Sequence, residues 1–429
     1  MAKTCEIPEH HKNGLFYVIR KDFFSIPVSI RIISLSLFIF ILWWGLGADT
    51  FFSIYVKFIV DNVFWVSVIG ALLALGKLFF TLPIGAVDDH SDMKSIVFLS
   101  KIAYVFAWFL YFFAGMFHSV LLLLVAVAFN GFASAALLTT YQTFIREHSQ
   151  KNNSCAVFGL YFSSINLAYV IWALISSVLI DHVYLPYLYL FIVLFALVSL
   201  LTDTMLPNLE KDQLQKLFGK ETFLHQFFRE IFSLKLIKET ILTMKSYSHS
   251  LFGALEFEFL FNVLNYISFL FIPIVAIANK LSLSQIAILF AIMRLPYIIN
   301  FFTAELADKY DKKTFILTIM VFLAFLFALL GYNESFGSVV TISFGISIWL
   351  SMMRPVISWL ITDYTHPQHG GSITGAWEFI GKAWEIVWSL VVGVLSIIFW
   401  LKFSFVLVGI ILFVFSIYQI IKRMLPKQA

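Results

Sequence analysis

Apolar and polar positions fall along this chain in long blocks, without the short period of a soluble helix or strand. From residue 31 to residue 423, runs of about 20 apolar residues recur, separated by short polar segments. Runs of that length suit a helix crossing a hydrocarbon layer of about 30 Å, whereas barrel strands are shorter and alternate. The blocks predict twelve spans, over 31–56, 63–84, 95–116, 119–144, 155–180, 184–206, 250–277, 283–303, 314–332, 337–361, 371–399 and 403–423. The expected fold class is an all-α membrane protein with twelve transmembrane helices in two six-helix bundles.

The longest polar interruption lies between the sixth and seventh spans and sets the organisation. Residues 1–30 form an N-terminal segment with an interfacial helix, 31–206 and 250–423 the two bundles, 207–249 a linker, and 424–429 a tail. In the linker, Phe223, Leu224, Phe227, Phe228 and Ile231 recur at helical spacing among seven basic and five acidic residues. That pattern predicts one or two amphipathic helices lying on the membrane surface.

Composition agrees with the blocks. With 61% hydrophobic residues, 13% charged residues and a mean hydropathy of +0.91 over 429 residues, an ordinary soluble domain is excluded. Of 29 Lys and Arg, 22 fall on or beside one side of the predicted membrane, four within spans and three on the other side. The positive-inside rule then places both termini in the cytoplasm. Cys5 and Cys155 offer no disulfide framework, and the first 30 residues show no cleavable signal peptide. The net charge of +4 reflects the loops and suggests no nucleic acid.

Nine ionisable side chains interrupt the apolar spans: Asp49, Lys77, Glu256, Glu258, Arg294, Arg354, Glu378, Lys382 and Glu385. Each would cost roughly 3 kcal/mol near a bilayer centre, so nine facing lipid would cost on the order of 25 kcal/mol. That exceeds the roughly 5 to 15 kcal/mol by which a folded domain is usually stable. They must face one another or water. On the eleventh span, Glu378, Lys382 and Glu385 share one helical face with Gly371, Gly375, Ser389 and Gly393, and Trp377, Trp384 and Trp388 form an adjoining stripe. This face reads either as a wall where one carboxylate changes protonation while Lys382 holds the other, or as a permanently paired structural ladder. On the seventh span Glu258, Asn262 and Asn265 share a face, while Glu256 points elsewhere, toward Arg294 or the surface. Gly45, Asp49 and Ser53 make a small stripe on the first span. Arg354 precedes Pro355, where a kink is expected.

The two bundles read as copies. The segment Gly85 to Lys94 closes the second span as Ala304 to Lys313 closes the eighth, an offset of 219 residues. Ile145-Arg146-Glu147 leads to Gly159 as Ile361-Thr362-Asp363 leads to Gly375, an offset of 216 that also pairs Asn166 with Lys382. Parallel six-span repeats are a known plan for secondary transporters. With these residues the chain resembles the major facilitator superfamily, whose signature loop G-x-L-a-D-r-x-G-r-k lies between the second and third helices. Gly85, Val87, Asp89 and Lys94 match it, with His90 and Asp92 departing. In the second copy Leu306, Asp308, Lys309, Lys312 and Lys313 match, with Ala304 and Asp311 departing.

The resemblance implies that the third, sixth, ninth and twelfth helices are peripheral, and none of the nine charges falls on them. It implies that Asp89 gates the inner face, with Gly85, Lys94, Asp308, Lys309 and Lys312 completing the gating loops. It further implies a secondary active transporter working by alternating access. The chain lacks the fourth-helix arginine, Val127 standing there, and the proline-glycine run of drug antiporters on the fifth helix. The expected pathway residues are Asp49, Asn166, Glu258, Asn262, Arg294, Arg354, Glu378, Lys382 and Glu385, with Asn130, Thr139, Thr140, Tyr141, Gln142 and Ser163 as further polar positions.

Proton coupling is the expected drive, with an uncoupled facilitator, a lipid translocator or a non-transporting receptor as alternatives. The expected partners are a small-molecule substrate, protons and the lipid bilayer, for a monomer in a bacterial inner or plasma membrane. No cofactor or metal is expected, because Glu9-His10-His11 and His366-Pro367-Gln368-His369 lack a third spaced ligand. No nucleotide loop or nucleophile triad points to an enzyme.

Overall fold

The computed structural model describes residues 28–44, 51–88, 93–148, 154–180, 182–202, 249–299, 312–333, 335–363, 370–399 and 401–424. Over these the chain is helical: α1 (Val28–Trp44), α2 (Phe52–Val60), α3 (Val63–Asp88), α4 (Met93–Met116), α5 (Val120–His148), α6 (Ser154–Leu179), α7 (Leu185–Thr202), α8 (His249–Ala278), α9 (Leu283–Ile298), α10 (Lys312–Tyr332), α11 (Phe336–Asp363), α12 (Gly370–Phe399) and α13 (Leu401–Met424). Nine of the described helices are long and apolar enough to cross a membrane, and three shorter apolar helices occupy the first, sixth and eighth predicted spans. In hydrocarbon only a structure that bonds its own backbone is tolerated, and these runs satisfy that requirement as helices.

Two expectations change. The first span is not one described helix, since α1 ends at Trp44 and α2 begins at Phe52. The eighth span, expected to reach residue 303, ends as α9 at Ile298, two residues after Pro296. Residues 1–27 of the N-terminal segment, 207–248 of the linker, and Asp49 lie outside the described residues.

The turns joining spans one to two and seven to eight extend the internal repeat. Asp61 and Lys280 are 219 residues apart, and each takes a left-handed backbone conformation, with φ of 46° and 62°. Asn62 Oδ1 then accepts from the Phe64 amide at 2.9 Å, while Ser282 and Gln285 form a reciprocal capping box before α9. Both copies therefore turn tightly at the face reached by the odd-numbered loops.

The bundles meet along two helix pairs, α3 with α12 and α6 with α9. Close approach of α3 and α12 requires small residues. A Cβ on Gly393 would lie 2.5 Å from Ser67 Cβ, and Ser389 Oγ donates to the Ser67 carbonyl at 2.8 Å. Ser389→Ala is expected to lower stability by about 1 kcal/mol, the usual worth of one buried hydrogen bond, as read by thermal unfolding in detergent.

Outside this seam, α4 carries exposed Phe98, Ile102, Phe106, Phe109 and Phe113, and α13 carries exposed Ile410, Phe413, Val414 and Ile417. These are lipid-facing surfaces, and in soluble surroundings they would be a liability. By contrast, α8 is the most enclosed of the long spans. It is therefore the helix on which charges most need partners.

Candidate functional site

Glu258 sits on α8 and is 1% exposed. A carboxylate so placed needs a cation and hydrogen-bond donors. Both are present: Arg354 Nη1 of α11 lies 2.6 Å from Glu258 Oε1, and Asn262 Nδ2, one turn along α8, donates to the same oxygen at 2.8 Å. Asn262 is itself pinned from the other side, because a Cβ on Gly381 of α12 would lie 2.5 Å from its amide nitrogen. Rings of Phe162 and Phe261 flank the Arg354 guanidinium at 5.4 and 5.1 Å. The helix α11 runs unbroken through Pro355.

The three charges of α12 divide. Lys382 Nζ lies 2.5 Å from Glu385 Oε1, a buried pair three residues apart. Glu378 turns to the other bundle, where Gln142 Nε2 of α5 donates to its Oε1 at 3.4 Å. Glu378 also lies within electrostatic reach of Arg354, Lys382 and Tyr161. Tyr161, on α6, is fully buried, and its hydroxyl makes no hydrogen bond of normal geometry, although the Gln142 amide lies beside it. The second carboxylate oxygen of Glu258 is likewise buried without a partner.

Arg294 of α9 forms a second crossing point. Its Nη1 donates to Asn166 Oδ1 of α6 at 3.3 Å, and its guanidinium lies over Phe269 at 3.8 Å and Tyr169 at 4.4 Å. The neighbouring Tyr297 hydroxyl donates to Asn265 Oδ1 at 3.1 Å. Toward the same end, Ser163 Oγ donates to the Ile298 carbonyl at 2.9 Å. Glu256, by contrast, is exposed.

Of the expected pathway residues, Glu258, Asn262, Arg354, Glu378, Lys382 and Glu385 come together in one cluster, and Asn166 with Arg294 makes the second. Asp49 lies outside the described residues, as do the gating residues Asp89, Asp308 and Lys309. Gly85 lies near the end of α3 and Lys94 in the first turn of α4, while Lys312 opens α10. In the first loop the described acid is Asp88, whose Oδ1 accepts from Thr140 Oγ1 of α5 at 2.7 Å.

Sequence reasoning missed Tyr161 and Lys101. The latter falls within the span expected over 95–116 and is fully buried two turns into α4, donating to Ser36 Oγ at 3.3 Å and lying 5.1 Å from the Phe40 ring centre. A signal for the α6 contacts was present in the repeat. The offset of 216 maps Glu378, Lys382 and Glu385 onto Phe162, Asn166 and Tyr169. All three of those residues face an arginine of the other bundle.

The family model for the Major Facilitator Superfamily matches residues 25–271, more than half of the chain. No curated protein matches it in sequence. Among solved structures, the crystal structure of the human organic anion transporter MFSD10 (TETRAN) is similar, with TM-score 0.70 and 12% identity, over 92% of this chain and 99% of that one. The nucleoside transporter NupG is similar with TM-score 0.68 and 13% identity, over 91% and 99%. At such identities these two likenesses speak for the fold alone. The family match, the apolar helices and the fold together make this chain a member of the Major Facilitator Superfamily, an integral multi-pass membrane protein with the fold of a transporter.

Proposed function

We propose that this protein is a proton-coupled secondary active transporter that moves a small solute by alternating access. The observation that carries the reading is the Gln142–Glu378 hydrogen bond, which joins the two bundles through a carboxylate set apart from the tight ion pairs. Glu258 and Glu385 each have a cation within 2.6 Å. Glu378 has a neutral amide at 3.4 Å and shares Arg354 and Lys382 only at longer range. On that geometry Glu378 is the proton carrier of the proposal. When protonated it gains an O–H donor and keeps a carbonyl acceptor, so its bond to Gln142 passes from charge-assisted to neutral, which couples the proton to the seam between the bundles.

In this reading the termini are cytoplasmic, the signature loops gate the inner face, and the solute enters between the bundles near the midplane. The chain acts as a monomer in a bacterial inner or plasma membrane. Support comes from the asymmetry of Lys and Arg in the loops and from a seam that contains polar groups from α5, α6, α8, α9, α11 and α12.

The test uses purified protein in proteoliposomes and a solute identified by a thermal-shift screen. Uptake is expected to change at least threefold when a proton gradient is imposed in one direction or the other. Glu378→Gln should lose that response. Uptake indifferent to the gradient in the wild-type protein would rule out coupling and leave an uncoupled facilitator.

A further inference from the structure

We infer that the solute taken by this central cluster carries an ammonium group. The inference rests on the reading of the cluster as the transport site and adds the chemical class of its cargo. Three carboxylates, Glu258, Glu378 and Glu385, face two cations, Arg354 and Lys382, so the described cluster has one negative charge in excess. Each cation is spoken for: Arg354 by Glu258 at 2.6 Å and Lys382 by Glu385 at 2.5 Å. The excess sits on Glu378.

Hydrogen-bond capacity points the same way. The second oxygen of Glu258 can only accept, and it is buried with no donor in reach. The Tyr161 hydroxyl, fully buried and electrostatically adjacent to both Glu378 and Arg354, can donate or accept and so serves a solute of either charge. A buried polar atom without a partner costs stability in the empty site, and a ligand that supplies the missing bond recovers it. What is missing here is a donor, and what is in excess is negative charge. A bare proton on Glu378 answers the charge and leaves the Glu258 oxygen as it is. An ammonium group answers both, with its positive charge and up to three N–H donors. A carboxylate solute would instead set its charge against Glu378 and bring further acceptors to an atom that lacks a donor.

Arg294 does not reverse this balance. It belongs to the second crossing point, where Asn166, Phe269 and Tyr169 surround it.

The experiment compares matched pairs of opposite charge on one scaffold, phenethylammonium against 3-phenylpropionate and putrescine against adipate. Binding to the full-length protein in nanodiscs is measured by titration calorimetry, with thermal unfolding of each variant as the folding control. An ammonium member is expected to bind and its carboxylate counterpart not to. Glu378→Gln should weaken that binding at least tenfold, Tyr161→Phe about threefold, and Glu378→Asp, which keeps the charge, less than threefold. Carboxylates that bind and lose binding in Arg354→Gln, with no ammonium bound, would overturn the ammonium class and keep the site. Binding of either class that is unchanged in both Glu378→Gln and Arg354→Gln would overturn the site as well. Absence of binding by both ammonium probes would likewise count against the inference.

Discussion

Arg354→Gln is expected to destabilise the folded protein by about 3 to 5 kcal/mol, the cost of removing one partner from a buried ion pair. Glu258 is 1% exposed, and its Oε1 takes both the Arg354 guanidinium at 2.6 Å and the Asn262 amide at 2.8 Å. Without the arginine, Asn262 alone faces a buried negative charge, and an amide cannot replace the lost Coulomb term. The carboxylate must then protonate or draw in water. Adding Glu258→Gln removes the charge while keeping a group that can bond Asn262, so the double variant should regain most of the loss. Thermal unfolding in detergent checks this. A double variant no more stable than the single one would show that the loss has another source, such as the packing of Arg354 between Phe162 and Phe261.

Gly131→Val is expected to cost about 1 to 3 kcal/mol through overpacking, at the upper end because no flexible side chain can yield. A Cβ at Gly131 of α5 would lie 2.9 Å from Gly76 Cα, 3.0 Å from Gly76 C and 3.1 Å from the Lys77 amide nitrogen of α3, all backbone atoms. The two helices cross on paired glycines, as small-residue contacts in membranes do. Since α3 also carries the seam with α12, any displacement there would reach Ser67 and Ser389. Gly337, with nothing within 4 Å of its built Cβ, supplies the control. Gly337→Ala should stay within about 0.5 kcal/mol of the parent. Equal losses for the two variants in chemical or thermal unfolding would show that the crossing is looser than its distances.

The spans were legible because hydrocarbon imposes one rule on every segment that crosses it, and the rule is read directly from block length. The ends were less so: α9 stops at Ile298, just past Pro296, in a pattern that remains apolar to Phe302. Helical spacing correctly put Glu378, Lys382 and Glu385 on one face, but spacing within a helix is silent about what stands opposite. That Lys382 would choose Glu385 and leave Glu378 to Gln142 depends on how α12 sits against α5 across the seam. Lys101 escaped for a related reason. A lysine near a helix end looks like a snorkelling charge until the packing of Ser36 and Phe40 against it is known.

The division between pairs within a bundle and contacts between bundles decides what holds the two bundles together. The ion pairs Arg354–Glu258 and Lys382–Glu385 each join residues of the C-terminal bundle. The hydrogen bonds described across the seam, Gln142 to Glu378, Asn166 with Arg294, Ser163 to the Ile298 carbonyl and Ser389 to the Ser67 carbonyl, each have an uncharged partner. Such bonds are worth about 0.5 to 3 kcal/mol apiece and exchange readily with water. The seam is therefore held by close packing of small residues and by bonds that need no buried charge pair, while both tight ion pairs are kept inside one bundle.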